Sequence, residues 1–194
     1  MNDTPCTPPD SLLSADDNGL FASSAPLGSP PHCGAIDIRI TADGVWFHEG
    51  RPILRPALVR LFASILQREA DGQFYLVTPV EKMLIQVDDC PFVAVLLQVT
   101  GDGSEAVLTF ELNTGEHVTA NGRHPLWVEE RDGGPHPLLQ VRAGLQALLT
   151  RAVFYQLADL AQEDTVNGAS AWVVWSDGQR FVLGAGSQRS EKRS

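Results

Sequence analysis

From residue 35 onward, apolar and polar positions follow a set of periods whose order occurs twice. Ile36, Ile38 and Ile40 alternate with Asp37 and Arg39, the period of two expected of a half-buried strand. Ala42-Asp43-Gly44 then turns the chain into Val45-Trp46-Phe47-His48, the return strand of a hairpin. After Glu49-Gly50-Arg51-Pro52, Pro56 suits the first turn of a helix, where its missing N–H leaves no bond unmade. Leu58, Leu61, Phe62, Ile65 and Leu66 fall on one face, so the spacing predicts an amphipathic helix over residues 55–68, ended by Asp71-Gly72. Strands at 74–77 and 83–87, joined by Thr78-Pro79-Val80-Glu81-Lys82, complete the first pass.

The second pass begins with an added strand at 92–99, turned by Gly101-Asp102-Gly103-Ser104 into a strand at 107–112. Asn113-Thr114-Gly115-Glu116 turns it into residues 117–120, and Asn121-Gly122-Arg123-His124-Pro125 leads into Leu126-Trp127-Val128. Leu145, Leu148, Leu149, Ala152, Val153 and Leu160 then read as the buried stripe of a long helix over 141–161. A hairpin of 171–175 and 180–183, turned by Ser176-Asp177-Gly178-Gln179, closes the pass. Both halves read strand, strand, helix, strand, strand, and Gly50-Arg51-Pro52 has a counterpart in Gly122-Arg123-His124-Pro125. The expected fold class is α+β: two small, mainly antiparallel sheet-plus-helix domains, 34–90 and 91–189, related by internal duplication in a ββαββ order. A ligand would bind most naturally in the cleft between them.

Composition narrows the class. The chain has 194 residues, 43% of them hydrophobic and 20% charged, which suits a globular core. The longest apolar run, 92–97, falls far short of the ~18 residues a membrane span needs. Fourteen Lys and Arg against 24 Asp and Glu leave a charge of -10, a field that repels nucleic acid and anionic membranes, so neither is expected as a partner. Residues 1–33 hold six prolines and five serines and no Lys or Arg, and they read as a flexible leader without a secretory or transit signal; 190–194 reads as a flexible tail. Cys6, Cys33 and Cys90 form no CxxC pair, which argues against disulfides and for a cytoplasmic protein.

Several stretches together resemble the bacterial family called domain of unknown function 1285. They are Gly44-Val45-Trp46-Phe47-His48-Glu49-Gly50-Arg51-Pro52-Ile53, Thr78-Pro79-Val80-Glu81-Lys82, Val87-Asp88-Asp89-Cys90-Pro91-Phe92 and His124-Pro125-Leu126. Arg142-Ala143-Gly144-Leu145, Arg151, Tyr155 and Trp175-Ser176-Asp177-Gly178 extend the likeness over residues 35–184. The resemblance implies a duplicated two-domain core, a second domain loosely similar to pleckstrin-homology-like folds, and a ligand pocket between the domains with a nucleotide among its candidate occupants. It also implies a signalling role, and no demonstrated activity.

The candidate ligand-binding residues are Trp46, His48, Arg51, Arg55, Glu81, Lys82, Arg123, His124, Arg151 and Tyr155. Guanidinium is the planar, permanently charged donor suited to carboxylate and phosphate, and Arg51 and Arg123 occupy matching places in the two passes. Arg55 lies beside a predicted helix N-terminus, whose free N–H groups favour anions. Trp46 offers an aromatic face, and Arg151 and Tyr155, four residues apart, share one side of a helix. His32, His48, His117, His124 and His136 show no HxH, HxxxH or HExxH spacing, so no metal and no cofactor is expected. No P-loop, GxSxG or GxGxxG sequence occurs. These features point to a non-catalytic sensing protein that binds a small anionic, nucleotide-like ligand. The alternatives are a hydrolase using Asp88 or Glu81 as base, and a module that binds a protein partner through its leader or an edge strand.

Overall fold

The computed structural model describes residues 32–186. The predicted tail, and all but the last two residues of the predicted leader, lie outside the described residues. The first domain comprises β1 (His32–Ile40), β2 (Trp46–His48), β3 (Arg51–Pro52), helix α1 (Pro56–Ile65), β4 (Leu66–Arg68), β5 (Phe74–Val77) and β6 (Lys82–Val87). Its strands form one six-stranded sheet in the order β3-β2-β1-β6-β5-β4. Two antiparallel meanders therefore meet at a parallel pair, β1 with β6. Ile38, Ile40, Trp46, Leu76 and Ile85 supply its buried face, and α1 adds Ala63.

Helix α1 starts at Pro56, as the sequence predicts, but it ends at Ile65 rather than near residue 68. Leu66 turns extended, with φ -70° and ψ 134°, and opens β4, where it pairs with Leu76. The helical stripe misassigned this residue because Leu66 is buried in either conformation. Pairing with β5 satisfies its backbone where a further helical turn has no capping residue.

The second domain comprises β7 (Phe92–Thr100), β8 (Val107–Leu112), β9 (His117–Thr119), β10 (Leu126–Arg131), β11 (Gly134–Arg142) and β12 (Leu145–Leu149). Their order is β10-β11-β12-β7-β8-β9, again two meanders joined by a parallel pair, β12 with β7. Counted from each domain's first strand, both sheets run third, second, first, sixth, fifth, fourth. Helix α2 (Arg151–Asp159) follows, and then a three-stranded antiparallel sheet of β13 (Gln162–Val166), β14 (Ala169–Ser176) and β15 (Gln179–Ala185). The buried Ser176 ties this sheet to the second domain: its Oγ accepts from Leu108 N at 2.9 Å and donates to Ala120 O at 2.7 Å.

The halves thus share a strand order, but not in the register read from the sequence. The long helix predicted over 141–161 is a strand end, a turn, strand β12 and a helix confined to 151–159. Leu145, Ala147 and Leu149 are buried in alternation, a period of two that the helical spacing of Leu145, Leu148 and Leu149 concealed. Gly144, at φ +71°, turns the chain between β11 and β12, and Thr150 caps α2 by accepting from Val153 N. The helix of the first domain stands between its third and fourth strands, whereas that of the second follows its sixth. Arg51 consequently sits on β3 and Arg123 in the β9–β10 loop, so the two are not equivalent positions.

Candidate functional site

The domains meet along a seam held at two points. At one, Asn113 in the β8–β9 turn donates from Nδ2 to the carbonyl of Gly44 at 2.8 Å, while its Oδ1 accepts from Val93 N at 3.1 Å. Gly44 has φ +76°, and a Cβ there would lie 2.5 Å from Asn113 Nδ2 and 2.8 Å from Val93 Cγ2. Only glycine permits both the turn and the close approach of the domains. At the other point Arg142 donates from Nη2 to Ala63 O at 2.9 Å, in the last turn of α1, and its guanidinium carbon lies 5.4 Å from the centre of the Phe92 ring. Ala63 O also accepts from Leu66 N–H, and the cation adds a second bond to it at the negative end of the helix dipole.

Beside the Asn113–Gly44 contact lies a cleft of about 490 Å³, within the range of small-molecule sites. Val45, Trp46, Ile53, Leu54, Pro56 and Val59 line it from the first domain, and Val95, Leu112 and Thr114 from the second. Its charged lining residues are Asp43, Arg60 and Glu111. Trp46 is 1% exposed and stacks on Phe62, with ring centres 6.2 Å apart and planes 26° apart. Its Nε1 has no hydrogen-bond partner, and neither has Oγ1 of Thr114, a residue 6% exposed. A buried N–H or hydroxyl left unpaired is costly, and both atoms are shut off from solvent, so a partner from the cleft reaches them only if its walls shift. A second hollow, of about 300 Å³, is lined by Val99, Ala106, Leu108, Leu160, Val174 and Trp175 among others, and none of its lining residues carries such an unpaired buried atom.

Of the residues singled out in the sequence, Trp46 lines the cleft. His48, Arg51, Arg55, Arg123, Arg151 and Tyr155 are exposed and are not among its lining residues. Lys82 is engaged elsewhere: its Nζ lies 2.6 Å from Glu69 Oε2 and 4.1 Å from the centre of the Tyr75 ring. Glu81 sits in the β5–β6 turn, where Thr78 accepts from its backbone N–H, and the His124 ring nitrogen Nδ1 lies 3.1 Å from Gln140 O. Arg60, Thr114 and Asn113, which sequence reasoning passed over, stand at the cleft instead. The one legible signal was the Gly in Ala42-Asp43-Gly44. Asp88 pairs with Arg39 at 2.7 Å, and hydrogen bonding from that guanidinium holds its carboxyl below the usual range, which makes it a poor base.

Outside the cleft, Asp89 and Cys90, in the segment joining β6 to β7, meet His136 on β11. Burial, and then the Asp89 charge, push the Cys90 thiol up to about 12. Arg131 donates from Nη1 to Asp89 Oδ1 at 2.9 Å and also pairs with Glu129, whose carboxyl it holds below the usual range.

Comparison with known proteins places this architecture. The N-terminal domain of unknown function DUF1285 matches residues 26–90, and the C-terminal domain of the protein of unknown function DUF1285 matches residues 91–183. The chain belongs to the DUF1285 family. The two matched segments adjoin at 90 and 91, between the six-stranded sheets. A crystal structure of a DUF1285 family protein from Silicibacter pomeroyi DSS-3 is similar over 83% of this chain and 87% of its own, with 47% identity and a TM-score of 0.74. A DUF1285 family protein from Shewanella baltica OS155 is similar over 63% of this chain and 90% of its own, with 28% identity and a TM-score of 0.51. No curated protein matches the chain.

Proposed function

We propose that this DUF1285 protein is a non-catalytic small-molecule-binding protein, with sensing in signal transduction as its role, and that its ligand seats in the cleft between the domains. The observation that carries the reading is the pair of unpartnered buried atoms, Trp46 Nε1 and Thr114 Oγ1, in residues lining a cleft whose walls are mostly apolar with Asp43, Arg60 and Glu111 among them. They ask for a ligand with an apolar or planar body and at least one hydrogen-bond acceptor. Arg60 supports one anionic group on it, while Asp43 and Glu111 nearby disfavour a polyphosphate, so a singly charged ligand fits better than a nucleoside triphosphate. Cytoplasmic placement belongs to the same proposal. It is supported by the acidic composition, and among the described residues no helix is long and apolar enough to cross a membrane. The pleckstrin-homology-like character of the second domain draws support from a helix following a mainly antiparallel sheet, and its parallel β7–β12 pair counts against it.

Thermal-shift screening of the full chain against nucleotides, carboxylates and aromatic metabolites tests the reading. A ligand present at 100 times its Kd stabilises by about 2.7 kcal/mol. Thr114→Val removes one orphaned group at nearly constant volume and should leave the free protein at least as stable, whereas Trp46→Phe removes the other together with part of a buried ring and lowers stability; each should shrink the ligand-induced shift. A shift that neither variant reduces, or no shift with any compound, overturns the assignment.

A further inference from the structure

A second cluster has no part in the cleft. Asp89 and Cys90 come from the segment between the domains, and His136 faces them from β11, one strand in from the sheet edge formed by β10. One ligand atom from each, a carboxylate oxygen, a sulfur and an imidazole nitrogen, all lie within 4.8 Å of one another. Cys90 is 2% exposed, and its Sγ is 3.8 Å from Asp89 Oδ1. His136 Nε2 is 3.3 Å from Asp89 Oδ2, yet this buried atom makes no hydrogen bond.

The spacing admits a coordination sphere: His136 Nε2 and Asp89 Oδ2 are 3.3 Å apart, and the ligand atoms of all three residues lie within 4.8 Å of one another. Tetrahedral bonds of about 2.0 Å to nitrogen and oxygen and about 2.3 Å to sulfur separate neighbouring N and O ligands by about 3.3 Å, and S and O ligands by about 3.5 Å. We propose that Asp89, Cys90 and His136 form a binding site for a divalent transition ion of the zinc type, with three protein ligands and a fourth position open to water or a solute. A thiolate, an imidazole and a carboxylate together select Zn²⁺ or Co²⁺ over Mg²⁺ or Ca²⁺, which take oxygen ligands. Binding transfers the Cys90 proton to solvent as the Cys90 sulfur–metal bond forms. The outer shell is in place: Arg131 donates to Asp89 Oδ1, which leaves Oδ2 for the ion, and Glu129 in turn holds Arg131.

The test is titration of the chelator-treated full chain with Co²⁺ alone, followed in the near-ultraviolet, where a thiolate bound to cobalt gives a charge-transfer band. The expected result is a band that saturates at one Co²⁺ per chain, bleaches when Zn²⁺ is added, and disappears in Cys90→Ser. His136→Gln should weaken binding by more than the roughly 10–100-fold typical of losing an outer-shell partner. The double variant Cys6→Ser, Cys33→Ser should keep the band. Circular dichroism of the metal-free variants shows that each is folded, and the wild-type titration stands without them. No band in wild-type protein, a band that survives Cys90→Ser, or one lost only in the double variant overturns the proposal.

Discussion

Asn113→Ala is the sharpest probe of the domain seam. The side chain makes two hydrogen bonds, one to Gly44 O at 2.8 Å across the seam and one from Val93 N at 3.1 Å within the second domain. Each is worth about 0.5–1.5 kcal/mol net, and leaving the buried Val93 N–H unpaired adds about 1–3 kcal/mol unless water enters from the cleft. Asn113 itself is exposed on its cleft side, so water offsets part of that penalty, and the expected destabilisation is about 2–3 kcal/mol. Urea unfolding should show a lower midpoint at unchanged slope. Asn113→Asp separates the two bonds: it keeps an acceptor for Val93 N–H but sets a carboxylate oxygen against Gly44 O. Protonation restores a donor, so the new carboxyl has a folded pKa raised above its unfolded value. The deficit of this variant should therefore shrink as pH falls toward about 4. A loss under about 0.5 kcal/mol for Asn113→Ala, the size of an ordinary surface change, refutes the seam argument.

Other perturbations follow from the same contacts. Gly44→Ala forces a residue at φ +76° to carry a Cβ 2.5 Å from Asn113 Nδ2, so it should lower Tm more than Gly178→Ala, where φ is +69° but open space surrounds the site. Ser176→Ala strands Leu108 N–H and Ala120 O in a fully buried place and should cost about 1–3 kcal/mol by chemical denaturation. Asp164, hydrogen-bonded first by Arg180 and then by Thr165 N–H, has its carboxyl held below the usual range. Its contribution is therefore present above the unfolded carboxylate pKa and lost as pH falls through the lower folded one; Arg180→Gln should flatten this acid limb in a Tm–pH series.

Alternating or amphipathic short segments were legible in the sequence: the hairpin of β1 and β2, the start of α1, the strands β5 and β6, and the β14–β15 turn all stand where the periods put them. The misreading at 141–161 has a local cause. Leu145 and Leu149 satisfy a helical and a strand period together, Leu148 completing the one and Ala147 the other, and only the left-handed Gly144 and the pairing of β12 with β7 decide between them. The shared strand order could not be read, because it depends on which strands pair in parallel across a long connection, and no residue pattern specifies that. The cleft was inferred from two-domain organisation, but its polar residues were not. Thr114 and Asn113 look like ordinary turn residues until the fold sets them against Gly44 and Trp46. Arg51 and Arg123 drew notice through a motif match that the topology dissolves. Asp89, Cys90 and His136 carry no ligand spacing at all, since β11 brings the histidine back from 46 positions away.

The most direct test of the central claim reads the Trp46 indole itself. The chain has four tryptophans, so an amide correlation NMR spectrum carries four indole N–H signals, and Trp46→Phe assigns the one that matters. On titration with a compound that stabilises the protein, that signal should move downfield with the same Kd as the thermal shift, as its N–H gains the acceptor it lacks. Saturable binding that leaves the Trp46 signal in place contradicts the account.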